Sequence, residues 1–300
     1  MNRPLLAALL CTLAPLVACG GDFAPGSRLQ KLRVLGLRAD QPYAPPGTEV
    51  ALEPLVFNPE ARPLAWAVAT CSDPSDSSVS ACLSQLDGPF DLIEGDPESD
   101  GLTVPIPDDA LSRLPEGKRS GALIGIALVA CPGAIERGTT GYVPVVCRDA
   151  AGEALALSQF EVAVKRLFVR EADRNENPRL EALTWDGEPW PEDEVREAEP
   201  CAAAGDDIDD CPEGLRHRVG VALNAPETGV DEHGTRFGEQ LIVSAYGSAG
   251  IFEHPVRIGP DAEHRFAAQQ PDGSDEITLF FVARDDRGGI DWAVRSVRVR

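Results

Sequence analysis

Lysine is scarce in this 300-residue chain, only Lys31, Lys118 and Lys165, and with 27 Lys and Arg against 49 Asp and Glu the formal net charge is −22. A surface this acidic excludes recognition of a phosphate backbone, so no nucleic-acid partner is expected, and it excludes a polybasic membrane contact. Histidine is scarce too, limited to His217, His233, His254 and His264. No H-E-x-x-H, G-x-S-x-G or Ser-x-x-Lys occurs, and no Gly-rich phosphate loop leads into a helix. Gly247-Ser248-Ala249-Gly250 comes nearest to a nucleophile elbow but lacks the glycine two before the serine. A sustained 3.6-residue apolar period is missing, which argues against a helical fold. Long hydrophobic runs are missing as well, and residues 122–130 are far too short to cross a bilayer. The histidines therefore read as structural and the chain as not an enzyme.

The N-terminus carries a definite signal. Met1-Asn2-Arg3-Pro4 has one positive charge, residues 5–17 are apolar, and Leu16-Val17-Ala18-Cys19-Gly20 follows. This is the layout of a cleavable export signal, too short to be a membrane span. Its ending resembles the lipobox of bacterial lipoproteins, in which a branched residue and two small ones precede an obligatory cysteine. The resemblance implies cleavage before Cys19, a diacylglyceryl thioether on its thiol and a further fatty acyl group such as palmitate. Several acyl chains at ~0.8 kcal/mol per buried CH₂ make a firm anchor. Gly20 stands where that family places Asp for inner-membrane retention, so the resemblance implies the outer membrane. Residues 1–18 are thus the signal, and 19–28, rich in Gly and Pro, are expected to be a flexible tether.

Cleavage leaves about 280 residues, comfortable for two domains. Cys11 departs with the signal and Cys19 takes the lipid, leaving six cysteines in three local groups. An even count in an exported chain implies disulfides, with 15 possible connectivities for six cysteines. Each local pair brackets a turn-rich segment, so the expected bridges are Cys71–Cys82, Cys131–Cys147 and Cys201–Cys211. Zinc is the alternative, but C-x₂-C is missing and only His217 lies near a pair.

The mature chain reads as strand, turn, strand. Leu32 and Val34 alternate with Lys31 and Arg33; Val50 and Leu52 alternate with Glu49, Ala51 and Glu53; Pro45-Pro46-Gly47 turns between them. Residues 63–70, with Trp66, make a further strand, and 122–130 suit a central strand buried on both sides. Residues 160–165, with Val162 and Val164 inward, close the first module. Asp108 to Leu114 has room for a helical turn or two. In the second module, 179–185, 218–223 and 240–246 are candidate strands. Residues 277–283 and 292–299 form a hairpin around Arg284-Asp285-Asp286-Arg287-Gly288-Gly289, whose Asp and Gly residues suit the turn. The apparent inward set changes phase from Trp292/Val294 to Val297/Val299, which predicts a bulge near Arg295.

Many short strands between regular turns argue for an all-β fold of sandwiches. The chain resembles the immunoglobulin-like and PKD-like domains of bacterial surface lipoproteins. The residues that carry the likeness are Pro46-Gly47, Trp66, Asn177-Pro178, Tyr246-Gly247-Ser248-Ala249-Gly250 and the final hairpin. It implies two tandem immunoglobulin-like β-sandwiches, residues 29–163 and 164–300. No cysteine lies in the strand before Trp66, so the inter-sheet disulfide of antibody domains is not expected.

Two segments invite a binding role. Asp173-Arg174-Asn175-Glu176-Asn177-Pro178 places oxygen side chains at alternate positions, as Ca²⁺ prefers. It also looks like the inter-domain calcium linker of cadherins, without the spacer before proline. Asp173, Asn175 and Asn177 are the candidate ligands, against the plainer reading of an Asn/Pro bend. Residues 186–213 hold twelve acidic residues against one basic, Arg196. Stapled by Cys201 and Cys211, they are either a solvated acidic insertion or a cation site. The chain is therefore expected to be a lipid-anchored, non-catalytic binding or structural module of the envelope, with a protein or polysaccharide partner. A carbohydrate-active or hydrolytic accessory enzyme using carboxylates, or a calcium-stiffened adhesin, are the alternatives.

Overall fold

The computed structural model describes residues 26–72, 102–116, 119, 121–138, 145–171, 174–202, 206–230, 235–270 and 273–300. Cys19 and Cys82 lie outside these residues, as do Asp173 and His233. So does most of the tether.

The described residues of the first module form nine strands. They are β1 (Arg33–Ala39), β2 (Tyr43–Ala44), β3 (Glu49–Phe57), β4 (Ala65–Ser72), β5 (Leu102–Pro105), β6 (Ala122–Cys131), β7 (Ala134–Arg137), β8 (Val145–Arg148) and β9 (Glu161–Val169). One sheet has the order β1-β3-β5 and faces a second with the order β2-β9-β6-β4. Between them lies a core that includes Leu37, Val50, Leu52, Trp66, Val68, Leu102, Ile126, Leu128, Leu167 and Val169. Strand β6 is apolar on both faces because it is covered twice. Ile124, Ile126 and Leu128 point into this core, while Ala127, Val129 and Cys131 join an outer cluster with Val145, Cys147 and Phe160. Asp108 to Leu114 forms turns held by Ala110 N–H on Pro107 O and Arg113 N–H on Asp109 O.

The second module begins with β10 (Leu180–Trp185), β11 (Glu188–Pro189), β12 (Arg196–Ala198), β13 (Arg216–Leu223), β14 (Thr228–Val230) and β15 (Arg236–Gly238). It continues with β16 (Ile242–Gly247), β17 (Ile251–Phe252), β18 (Val256–Ile258), β19 (Asp261–Ala267), β20 (Glu276–Arg284) and β21 (Ile290–Val299). Sheet β11-β10-β13-β19-β17 packs on sheet β12-β21-β20-β16-β18. Trp185, Trp190, Val219, Phe266, Leu279 and Phe281 fill the space between. At the tip of the β10–β11 hairpin, Asp186 and Gly187 both take positive φ, 52° and 89°, the geometry that matches strand twist in a tight turn.

The same connectivity occurs twice. The order β1-β3-β5 corresponds to β10-β13-β19, and β2-β9-β6-β4 to β12-β21-β20-β16. In each module the N-terminal segment crosses between sheets and pairs in parallel with the last strand: β2 with β9, and β12 with β21. This is the immunoglobulin-like sandwich, and the chain contains two of them.

Three sequence-based expectations change. Strand β9 pairs with β6 as far as Val169, so a module boundary after residue 163 falls within a strand; the chain crosses over between Val169 and Leu180. Within β9, Ala163, Leu167 and Val169 face the core, while Val164 is exposed and Val162 joins the outer cluster. A charged residue, Lys165, occupies a core-side position and disguised the phase. Third, the β20–β21 register runs without a shift from Glu276↔Arg298 to Arg284↔Ile290, so there is no bulge at Arg295. Trp292 lies on the outer face of its sheet, and that face is covered by the first module.

Candidate functional site

That covering is the main feature of the molecule. Leu35, Leu55 and Phe57 of the first module's β1-β3-β5 sheet meet Phe280, Val282, Ile290, Tyr246 and Trp292 of the second module's sheet. Strand β1 has an irregularity between Val34 and Gly36, which turns both Leu35 and Gly36 toward the second module. Four sheets are thus stacked face to face, with an apolar layer in each of the three gaps. The modules are side by side, which removes the free hinge expected of tandem domains.

Polar contacts lock the seam. Arg38 forms an ion pair with Asp291 at 2.7 Å and stacks on the Trp292 ring at 4.5 Å. Asn177 Nδ2 donates to Ala39 O at 2.7 Å, while its Oδ1 accepts from Ile290 N–H at 2.9 Å. Asn175 Nδ2 donates to Asp285 Oδ2 at 3.2 Å. The other oxygen of Asp285 accepts from Arg287 N–H and Gly289 N–H, so one carboxylate shapes the β20–β21 turn and receives the linker. Of the expected calcium ligands, the two described asparagines therefore serve the seam, and Asp173 lies outside the described residues. Among the described residues, no group of three or more His, Cys, Asp or Glu is placed to hold a metal ion.

The seam also strains its charges. Lys165 donates from Nζ to Gly288 O at 2.8 Å, and burial lowers its pKa to about 8 despite nearby Asp285. Glu239 Oε2 accepts from Glu227 N–H, and burial, with Asp285 and Glu227 close by, raises its pKa to about 7. Arg287 pairs with Glu227 at 2.8 Å and stacks on Tyr43 and Phe237. Asn175 Oδ1 and Glu239 Oε1 are buried without a hydrogen-bond partner among the described residues. Clefts open along the seam among the described residues. One of about 540 Å³ lies beside Leu35, Lys165 and Gly288, another of about 800 Å³ beside Phe57, Gln270 and Thr278.

The remaining candidates have structural partners. Cys131–Cys147 and Cys201–Cys211 are disulfides, as the local pairing predicts; Cys71 falls on β4, but its partner Cys82 lies outside the described residues. Among its described residues, segment 186–213 is not one open loop: it contains β11, β12, a 3-10 turn at Ile208–Asp210 and the buried Trp190. Asp209 pairs with Arg216 and Asp206 with Arg28, while His217 Nδ1 lies 2.8 Å from Asp186 Oδ2. His217 stacks on Trp185 at 4.4 Å. His264 is fully buried between the sheets, and burial lowers its pKa to about 4, which keeps the ring neutral. The sequence reading missed Lys165, Glu239 and Asp285 as seam residues. The signal was present in β20, where Phe280 and Val282 make the second face as apolar as the first.

No protein family and no curated protein matches the chain. Among solved structures, a 1.5-MDa bacterial ice-binding adhesin aligns with 8% identity over 91% of this chain and 67% of its own, at a TM-score of 0.24. Protocadherin Gamma B7 cadherin domains 1–4 align with 11% identity over 88% of this chain and 49% of theirs, at 0.21. Salmonella alpha-2-macroglobulin aligns with 12% identity over 92% of this chain and 15% of its own, at 0.25. The chain thus spans half or less of the latter two. Likeness at this level carries no functional argument, and the immunoglobulin-like assignment rests on the strand pairing above.

Proposed function

We propose that the chain is a lipid-anchored extracytoplasmic module of the bacterial envelope that binds a protein or polysaccharide, or builds the envelope, without catalysis. The observation that carries this reading is the pair of disulfides in the described residues, Cys131–Cys147 and Cys201–Cys211. Such bonds persist in oxidising compartments, and the chain opens with an export signal ending at Cys19. The fused sandwiches support a binding or scaffolding role, because a rigid body presents the loops at its ends in fixed relation to one another.

The test is metabolic labelling with palmitate and membrane fractionation of the wild type and Cys19→Ala. The wild type is expected to take up label and partition with the outer membrane, and Cys19→Ala to lose the label and remain unprocessed. Normal processing and unchanged membrane partition of the variant would overturn the lipid-anchor reading.

A further inference from the structure

Residues Ser27, Arg28 and Leu29, which lead into the first module, are not loose. Residues expected to belong to the tether are fastened to the second module, not the first. Leu29 N–H donates to Gly247 O at 2.8 Å and Gly247 N–H donates to Ser27 O at 2.9 Å, a bridge onto the end of β16. The Arg28 guanidinium pairs with Asp206 at 2.6 Å, in the loop stapled by Cys201–Cys211, and donates to Gln269 at 2.6 Å. Leu29 is 4% exposed and packs into the seam.

This clasp sits at one end of the four-sheet stack. Strand pairing places at that same end residues 248–250, 268–270, 273–275, 201–202 and 206–215 of the second module, and turns 58–64 and 149–160 of the first. Both described disulfides belong to it. Leu157, 70% exposed and the most exposed of the large apolar side chains among the described residues, lies in one of these turns. The opposite end carries turns 107–114 and 285–289 and the linker residues 170–171 and 174–179.

We propose that the disulfide-bearing end faces the lipid bilayer and that the opposite end is presented outward. The inference rests on acylation of Cys19, argued above. Eight Cα–Cα steps separate Cys19 from the fastened Ser27, a reach of at most about 29 Å when fully extended. As a flexible chain the same segment spans ~16 Å on average. A nine-residue strand such as β20 is ~30 Å long, so the far end stands one strand length further from the headgroups. The C-terminal module is therefore as close to the membrane as the N-terminal one, although the anchor is N-terminal.

The test uses the mature acylated chain in phosphatidylethanolamine/phosphatidylglycerol vesicles with a headgroup-linked energy acceptor. A donor dye is placed on Ser274→Cys at the clasp end or on Ser112→Cys at the far end. Flotation of the same samples reports anchoring separately. Transfer from position 274 is expected to be at least twice that from position 112. Insertion of twenty Gly/Ser residues after Gly21 should bring the two efficiencies together without changing the melting temperature. Equal or reversed transfer in floated samples, or a difference that survives the insertion, would overturn the orientation while leaving the anchor intact. Failure of the acylated chain to float would remove the anchor itself, and the orientation with it.

Discussion

Replacing Glu239 with Gln should stabilise the protein at neutral pH and have little effect in mild acid. The carboxyl lies at the seam, 9% exposed, with one oxygen on Glu227 N–H and the other without a partner among the described residues. Burial raises its pKa from 4.5 to about 7. Below pH 4.5 the group is protonated in both folded and unfolded chains, so it contributes no pH-dependent term. Between 4.5 and 7 the unfolded chain releases the proton and the folded chain keeps it, so stability falls as pH rises. Above pH 7 the penalty is complete. A shift of this size corresponds to about 3 kcal/mol at most, and solvent screening near the surface brings the expectation to ~1.5 kcal/mol. Gln preserves an acceptor for Glu227 N–H and carries no charge to desolvate. Urea unfolding of both proteins at pH 4.5, 6, 7 and 8 gives the difference directly, because titration of every other group cancels to first order. The stability difference should grow by ~1.5 kcal/mol in favour of Gln across that range. A difference that stays flat with pH would show that Glu239 is solvated and that the seam imposes no electrostatic cost there.

Asn177→Ala removes both hydrogen bonds of the linker clamp and leaves Ala39 O and Ile290 N–H unpaired; a loss of about 2–3 kcal/mol in urea unfolding is expected. The loss should be equal in millimolar Ca²⁺ and in chelator, and a loss confined to the calcium sample would restore a ligand role for this residue. A Cβ at Gly36 meets Ile290 Cδ1 at 2.9 Å, so Gly36→Glu should wedge the seam open. It is expected to raise the radius of gyration in small-angle scattering and split one melting transition into two. Non-reduced peptide mapping should recover Cys131–Cys147 and Cys201–Cys211 as linked pairs, and their separate removal should cost about 3 kcal/mol each.

Much of the fold was legible in the sequence, because alternation with a period of two announces strands wherever one face is wet. Residues 122–130, the final hairpin apart from its bulge, and two of the three local disulfides emerge as expected, the third lying partly outside the described residues. The errors share one cause. Reading alternation assumes one buried and one solvated face. In β21, alternation groups Trp292 and Val294 with the core; in β9 it groups Val162 and Val164 inward, which leaves Lys165 outward. Trp292 is partly buried against the other module, and Lys165 reaches across to Gly288 O. The calcium reading had the same weakness: alternate oxygens describe a ligand set and a hydrogen-bonding clamp equally well. Only the position of Ala39 and Ile290 distinguishes them.

The seam also explains why two sandwiches with separate cores should act as one body. Separated, they would expose Leu35, Leu55, Phe57, Phe280, Val282, Ile290 and Trp292 together. At a conservative ~1.5 kcal/mol for each such side chain, exposure would cost ~10 kcal/mol, as much as the whole stability of an ordinary domain. A cost of that size leaves the open form essentially unpopulated in the wild type, although each module keeps its own core. A freely hinged pair could explore many angles from its anchor, whereas this pair can only tilt as a unit. The N-terminal clasp joins the same unit, since Leu29 packs in the seam while Arg28 holds the second module. Under the proposed acylation of Cys19, fixing the clasp, the seam and the stapled loops to one rigid stack would give the far-end turns a defined height and direction.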